Sequence, residues 1–445
     1  VAGEVSPAEV ESAARRALAE ANAGLNALTG APFEPALVAN PDGPLAGVPF
    51  LVKDSEPFAR GVEFTLGSRS IRGARAARDH PLMTRFRDTG LVTLGQTTTP
   101  EWSLNFATES VRYGPTRNPW DLARGAGGSS GGAAALVAAG AVPLAHASDG
   151  AGSIRVPASC CGLVGLKPGR TTVVSAPRTP AVVGEPLGVD FVLARSVRDA
   201  RLLLHLTRSA GADAGGASGA VRPPARRLRI AVTTDAWSGV PVSAEVSSAT
   251  EAVAGMLEWI GHTVERGTPR LTAHDIADAT LLGLMSAGRA ILAAPAHPRP
   301  VLLESASRAI LHDAASFGGE RAERSITAQQ TITATVDRFW DHRDVLVTPT
   351  LAQLPLPHGA LDYNAPGVTT RGWLERMLAF GPFTAPFNVS GDPAISLPLG
   401  QSASGLPIGV QLVAGKGGET LLLDLAAELE QALPWSSRLP PFWVD

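Results

Sequence analysis

The sequence predicts an α/β fold built on a mixed or parallel sheet, and three observations carry that expectation. Short apolar runs of strand length alternate with stretches of helical period along most of the chain. Of 445 residues, 44% are apolar and 18% charged, which is ample material for a large buried core. The 47 glycines and 36 prolines are scattered between apolar segments rather than gathered in a tract, the pattern of an enzyme with many tight turns.

Taken in order, Ser6-Pro7 opens a capped amphipathic helix that runs through Asn22 and lacks the charged and apolar regions of a secretory leader. Residues 48–52 predict a strand, 81–89 a helix, 91–95 a strand, 130–139 a helix, 142–147 a strand and 197–208 a helix. Residues 209–227 are rich in Ala, Gly and Ser, with Pro223-Pro224 and a small basic cluster, and read as an exposed linker. A second α/β unit follows: strand 228–233, helix 243–260 and strand 262–265. Residues 272–342 are mostly helical in period, with a break near 295–300. Strands are expected at 345–347, 394–399 and 408–412, and a closing amphipathic helix at 419–433. No internal repeat is visible. The expected organisation is one domain over 1–445, its core at about 44–210, 228–265 and 343–445, with a helical insertion at about 270–342.

The net charge of −3 provides no basic footprint for nucleic acid or an acidic membrane surface. The apolar stretches 131–148 and 278–294 are broken by Pro143 and Arg289 and read as core elements rather than membrane spans. The two cysteines, Cys160 and Cys161, are adjacent, so no disulfide framework is expected and the compartment is read as reducing, hence cytoplasmic. Of 38 basic residues only Lys53, Lys167 and Lys416 are lysines. A chain that avoids lysine so strongly makes each one it keeps informative.

Three local features carry chemistry. Gly-Val-Pro-Phe-Leu-Val-Lys-Asp at 47–54 puts Lys53 at the end of an apolar strand. Such a lysine either snorkels to water or, if buried, loses hydration of its charged form and becomes a neutral base. Gly-Ala-Gly-Gly-Ser-Ser-Gly-Gly at 125–132 fits a serine-capped glycine turn, a nucleophile elbow on Ser129, or a phosphate cradle that lacks the P-loop ending. His146-Ala-Ser-Asp-Gly-Ala-Gly-Ser-Ile-Arg-Val-Pro at 146–157 runs from a strand through small residues to Ser153. That turn either caps a helix or lets several backbone N–H groups converge on one oxyanion.

Together these features resemble the amidase signature family. The resemblance is strongest from Pro44 to Arg170, including Gly127–Gly132, Ser148–Pro157 and Cys161-Gly-Leu-Val-Gly-Leu-Lys-Pro, with a similar spacing of 24 residues from Ser129 to Ser153. It extends to Pro382-Phe-Thr-Ala-Pro-Phe-Asn388, Gly391-Asp-Pro-Ala-Ile-Ser-Leu-Pro398 and Gly405-Leu-Pro-Ile-Gly-Val-Gln411. The resemblance implies a single large α/β domain whose central mixed β-sheet is flanked by helices on both faces. It also implies a Ser–cis-Ser–Lys triad: Ser153 as nucleophile, Ser129 as bridging serine after a cis bond from Gly128, and Lys53 as base. Gly150, Ala151, Gly152 and Ser153 would supply the oxyanion hole, with Gly128, Ser130, Asp149 and Arg155 in support. No histidine, metal or cofactor is required.

One departure stands out. The family turn most often reads Asp-x-Gly-Gly-Ser, whereas here it is Asp149-Gly-Ala-Gly-Ser153. Ala151 keeps its N–H, so the hole survives unless that position needs a positive φ, where a Cβ costs about 1 kcal/mol or more. Asp149 and Arg155 are expected to brace the loop, with a substrate-carboxylate role for Arg155 as the other reading. Lys167 reads as structural, Lys416 as surface, and Cys160 and Cys161 as small buried residues rather than nucleophiles.

The expected activity is hydrolysis of small or linear amides, with carbamates, nylon-type oligoamides and esters as related substrates. The stretch Pro382 to Gly391 is most similar to the branch acting on nylon oligomers and xenobiotic amides. Two other readings stay open: a glutaminase subunit that needs partner chains, and an α/β-hydrolase with Ser129 at its elbow. The partner expected is a small molecule, with no nucleic acid and no membrane, in a monomer or homodimer.

Overall fold

The computed structural model describes residues 5–38, 40–174, 184–209, 227–294 and 298–444. Its centre is an eight-stranded mixed sheet whose strands lie in the order Thr263–Arg266, Arg229–Val232, Val345–Pro349, Pro407–Val413, Ala394–Gln401, Val164–Lys167, Val189–Ala194 and Leu144–Asp149. The first three are mutually parallel and every later pairing is antiparallel. Sequence and position agree along this sheet. The inner strands Val345–Pro349 and Pro407–Val413 are buried at every residue, whereas Thr263–Arg266 carries exposed Thr, Glu and Arg at one edge.

A second, two-stranded parallel sheet pairs Pro49–Lys53 with Val92–Thr97. Nothing in the hydropathy pattern of these two strands distinguishes a separate sheet from membership of the main one. Helices Arg155–Cys161, Ala244–Trp259, Val197–Thr207 and Glu419–Ala432 cover the large sheet, and Gly131–Ala138 packs against Leu144–Asp149. Helices Ser305–Ala315 and Gly319–Phe339 both pack on Ala273–Leu292, and Ala273–Leu292 and Gly319–Phe339 also rest on Ala385–Ser390. Buried apolar side chains form one continuous cluster from Ala14 to Val444.

The N-terminal helix spans Pro7–Leu25, one turn longer than its pattern suggested. Ser6 and Glu9 close a reciprocal capping box at its start, worth about 1 kcal/mol. Asn26, in the left-handed region, ends it. The strand expected at 142–147 lies at Leu144–Asp149, starting just after Pro143, which has no N–H for a ladder. Strands Val164–Lys167 and Val189–Ala194 and helices Thr370–Phe380 and Ala385–Ser390 were not expected, whereas helix Arg155–Cys161 follows the Ser153 turn as one of its two readings allows, with Ile154 rather than Ser153 at the cap. Most of the linker at 209–227, and residues 295–297 of the helical break, lie outside the described residues.

No described helix is long and apolar enough to cross a membrane.

Candidate active site

The site forms where three chain segments meet: the end of Pro49–Lys53, the glycine–serine loop 125–130, and the turn 150–154 that follows Leu144–Asp149. Lys53 ends an apolar strand buried at all five positions, so its side chain has no route to water. It is 0% exposed. Its Nζ donates to Ser129 Oγ at 2.6 Å and to Ser148 Oγ at 2.9 Å. Burial lowers the amine from 10.5 to about 7, against the opposing pull of Asp190, Asp149 and Asp54. Near neutral pH a substantial fraction of this amine is therefore uncharged and able to accept a proton.

Ser129 is buried and follows a cis peptide from Gly128. The loop is pinned from several sides. Thr108 Oγ1 donates to the carbonyls of Gly127 and Ser129 at 2.9 and 3.3 Å and accepts from Gly131 N at 3.1 Å. Ser130 Oγ meets the carbonyl and the N–H of Ser148, both at 3.3 Å. Gly128 has no room for a side chain, since a Cβ would stand 2.7 Å from the Asn105 carbonyl oxygen. Cys161 Sγ reaches the Ala126 carbonyl at 3.4 Å, and Asn118 Nδ2 bridges the carbonyls of Gly125 and Cys160 at 3.3 and 2.8 Å. The two cysteines thus pack the back of the loop as unpaired thiols, with burial raising both pKa values well above the ordinary range.

Ser153 is 6% exposed and sits in the turn just before helix Arg155–Cys161. No hydrogen bond links its Oγ to Ser129 in this structure; contacts of this kind often close only around a substrate. Gly152 has φ +147, and a Cβ there would lie 2.5 Å from Thr384 Oγ1. Ala151 is not among the non-glycine residues with positive φ, so the departure from the family turn carries no backbone cost. Thr384 Oγ1 anchors the turn by donating to the Ala151 carbonyl at 2.5 Å.

Beneath the turn, Asp149 and Arg155 are both fully buried and paired through two bonds of 2.9 Å. Arg155 gives its remaining donors to Gln411 Oε1 at 2.8 Å, Thr384 O at 2.9 Å and Asn388 Oδ1 at 2.6 Å. Every N–H of the guanidinium is matched inside the protein, which leaves none for a substrate carboxylate. Asn388 Nδ2 returns to the carbonyl and carboxylate of Asp149, both at 2.9 Å, and Gln411 Nε2 bonds Thr348 Oγ1 at 3.0 Å and Phe383 O at 2.9 Å. Burial alone would raise the Asp149 carboxyl; Arg155 overrides it and holds the group at about 2. Lys167 is buried nearby, its Nζ on the Pro168 carbonyl at 2.9 Å, and burial lowers it to about 7.

The structure adds residues to which the sequence reading gave no role. Ser148, one side chain along from Asp149 on its strand, is the second acceptor of Lys53. Asn388 and Gln411 lie in the two C-terminal segments already singled out by resemblance, where polar residues inside apolar runs were the available signal. His146, at the start of the third motif, also borders the site: its Nδ1 accepts from the Lys53 backbone N–H at 3.4 Å, and its Nε2 lies 3.2 Å from Asp190 Oδ1. It contacts neither serine through a hydrogen bond.

Residues 9–423 match the family model for amidases. The 6-aminohexanoate-cyclic-dimer hydrolase of Paenarthrobacter ureafaciens is 35% identical over 467 aligned residues, covering 98% of this chain and 94% of that protein. The structure of 6-aminohexanoate cyclic dimer hydrolase complexed with substrate superposes with a TM-score of 0.87 at 32% identity, covering 99% of this chain and 97% of that one. A bacterial aryl acylamidase of the amidase signature enzymes gives a TM-score of 0.86 at 26% identity, covering 98% and 94%. With this match over nearly its whole length and an α/β fold to go with it, the chain belongs to the amidase signature family and is a hydrolase of carbon–nitrogen bonds other than peptide bonds.

Proposed function

We propose that the chain hydrolyses small or linear amides through an acyl-enzyme on Ser153, with Ser129 and Lys53 as its proton relay. The observation that carries this reading is the buried amine of Lys53, 2.6 Å from Ser129 Oγ and lowered to about 7. Neutral Lys53 takes the Ser129 proton as Ser129 takes that of Ser153. The Ser153 oxygen adds to the carbonyl, and the N–H groups of Gly150, Ala151, Gly152 and Ser153 receive the oxyanion. Loss of one such donor typically costs about 3–4 kcal/mol of transition-state stabilisation. As the C–N bond breaks, the proton held on Lys53 returns through Ser129 to the departing amine. Water then gives its proton to the same relay, adds to the acyl carbonyl and releases the acid, restoring Ser153. Asp149, Arg155, Gly128 and Ser130 act by holding the two loops.

Similarity to the cyclic-dimer hydrolase and the aryl acylamidase supports amides of 6-aminohexanoate oligomers and anilides as substrate classes. Carbamates and esters present the same carbonyl and would form the corresponding acyl or carbamoyl enzyme. The unpaired buried thiols support a reducing, cytoplasmic setting. A nucleophile at Ser129 served by a histidine has little support, because the nearby histidine bonds the Lys53 backbone and Asp190 instead.

The purified chain, without partners, should cleave an anilide and a cyclic or linear 6-aminohexanoate oligomer. Hydroxylamine should divert product to hydroxamate at one ratio for an amide and its ester, as a shared acyl-enzyme requires. Cleavage of glutamine alone, or hydroxamate ratios that differ between amide and ester, would defeat the proposal.

A further inference from the structure

The strand that bears Lys53 and the strand that leads to Ser153 belong to different sheets. Pro49–Lys53 pairs with Val92–Thr97, whereas Leu144–Asp149 is the edge strand of the eight-stranded sheet. The two strands pack side by side without a ladder between them. His146 crosses that seam. Its Nδ1 accepts the Lys53 backbone N–H at 3.4 Å, so the ring proton lies on Nε2, which donates to Asp190 Oδ1 at 3.2 Å. Burial keeps this imidazole below its ordinary pKa in spite of Asp190, which favours the neutral ring that the contacts require.

Asp190 has a second tie to the site. It stands directly opposite Ser148 where Leu144–Asp149 pairs with Val189–Ala194, so the two side chains share one face of the sheet. Ser148 is the second acceptor of Lys53 Nζ. Asp190 is thus the cross-strand neighbour of a residue that bonds the base, and its charge acts on that amine.

We propose that His146 and Asp190 are positioning residues for Lys53. The imidazole fixes the lysine backbone across the seam between the two sheets, and the carboxylate holds the imidazole tautomer and biases the amine toward its charged form. This inference rests on the reading of Lys53 as the base. The other groups acting on that amine are Asp149, tied up by Arg155, and Asp54, held by Thr65 and Gly67. Asp190 also acts on His80 and Glu56, which lie on the same side. Its side chain keeps 16% exposure, so its charge can be removed without emptying the core.

The test is kcat and KM against pH on a p-nitroanilide, per active site titrated with a fluorophosphonate. In Asp190→Asn the acid limb should move to lower pH by about half a unit or more, since loss of the anion favours the free amine. In His146→Leu, kcat should fall by about ten- to a hundredfold with KM little changed, because the base is displaced. His146→Asn, whose carboxamide oxygen can stand in for Nδ1, should recover most of that loss. A residue that only supports folding would lower the titrated fraction and leave the limb in place. An unmoved limb in Asp190→Asn, or full kcat per titrated site in His146→Leu, overturns the proposal; if His146→Leu does not fold, Asp190→Asn decides it. Lys53→Met serves as the reference. Full activity there would defeat the reading of Lys53 as base, whereas an inactive Lys53→Met with an unmoved Asp190→Asn limb defeats this inference alone.

Discussion

Lys53 Nζ lies 2.6 Å from Ser129 Oγ, and neither side chain is more than 1% exposed. An amine so placed is held near neutrality by burial, at about 7. Activity should accordingly rise through a single proton-linked limb near pH 7, as the amine loses its charge. Lys53→Met should remove that limb and lower kcat/KM by about a thousandfold, in the range of lost general-base catalysis. The pH dependence of kcat/KM from 5 to 10, for both chains, checks this.

The same burial makes folding depend on pH. Between about 7 and 10.5 an unfolded Lys53 holds a proton that the folded chain lacks, so the contribution of this lysine to stability rises with pH across that window. Lys167, lowered from 10.5 to about 7, adds a second contribution of the same sign. Urea midpoints at pH 7 and pH 10 should differ in the parent chain, and less in Lys53→Met or Lys167→Met. Equal pH dependence in all three would contradict the burial argument.

Asp149 works in the opposite direction. Its carboxyl falls from 3.8 to about 2, so the stability it contributes is present above 3.8 and is lost as pH falls toward 2. Asp149→Asn should strand the Arg155 guanidinium in the core, at a cost of about 3–5 kcal/mol. Denaturant unfolding at pH 7 measures that loss, and circular dichroism should show the variant unfolding at milder acidity than its parent.

The turn that bears Ser153 separates two small residues. At Gly152 the φ of +147 and the 2.5 Å approach to Thr384 Oγ1 both exclude a Cβ. Gly152→Ala should therefore lose at least about a hundredfold in kcat, the scale of a misplaced oxyanion donor. Ala151→Gly should keep activity within a fewfold and lose roughly 0.4–1 kcal/mol, through greater freedom of the unfolded chain. Steady-state rates and thermal midpoints of the two variants distinguish these outcomes.

How legible this molecule was depended on the range of the interaction. Lys53 was conspicuous because the chain is so poor in lysine and because its strand is apolar throughout. The serines were conspicuous through their glycine settings, and family resemblance supplied the pairing between segments 76 and 100 residues apart. Strands such as Val345–Pro349 announced themselves by continuous apolar content. Val164–Lys167 was missed because four residues closing on a lysine carry little periodic signal. Helix Arg155–Cys161 was legible only as one of two readings of the turn at 146–157, because seven residues carry too little periodic signal to decide between them. The separate sheet of Pro49–Lys53 depends on which strand edges meet, and hydropathy does not encode that. The ties of Arg155 to Asn388 and Gln411 span 233 and 256 residues and leave no local trace.

The central claim is that Ser153 bears the acyl group and that Ser129 only relays its proton. A fluorophosphonate adduct mapped by mass spectrometry of the digested chain tests it directly. The account predicts the label on Ser153 in the parent chain, slower labelling at the same residue in Ser129→Ala, and none in Ser153→Ala. Label on Ser129, or undiminished labelling of Ser153→Ala, would contradict it.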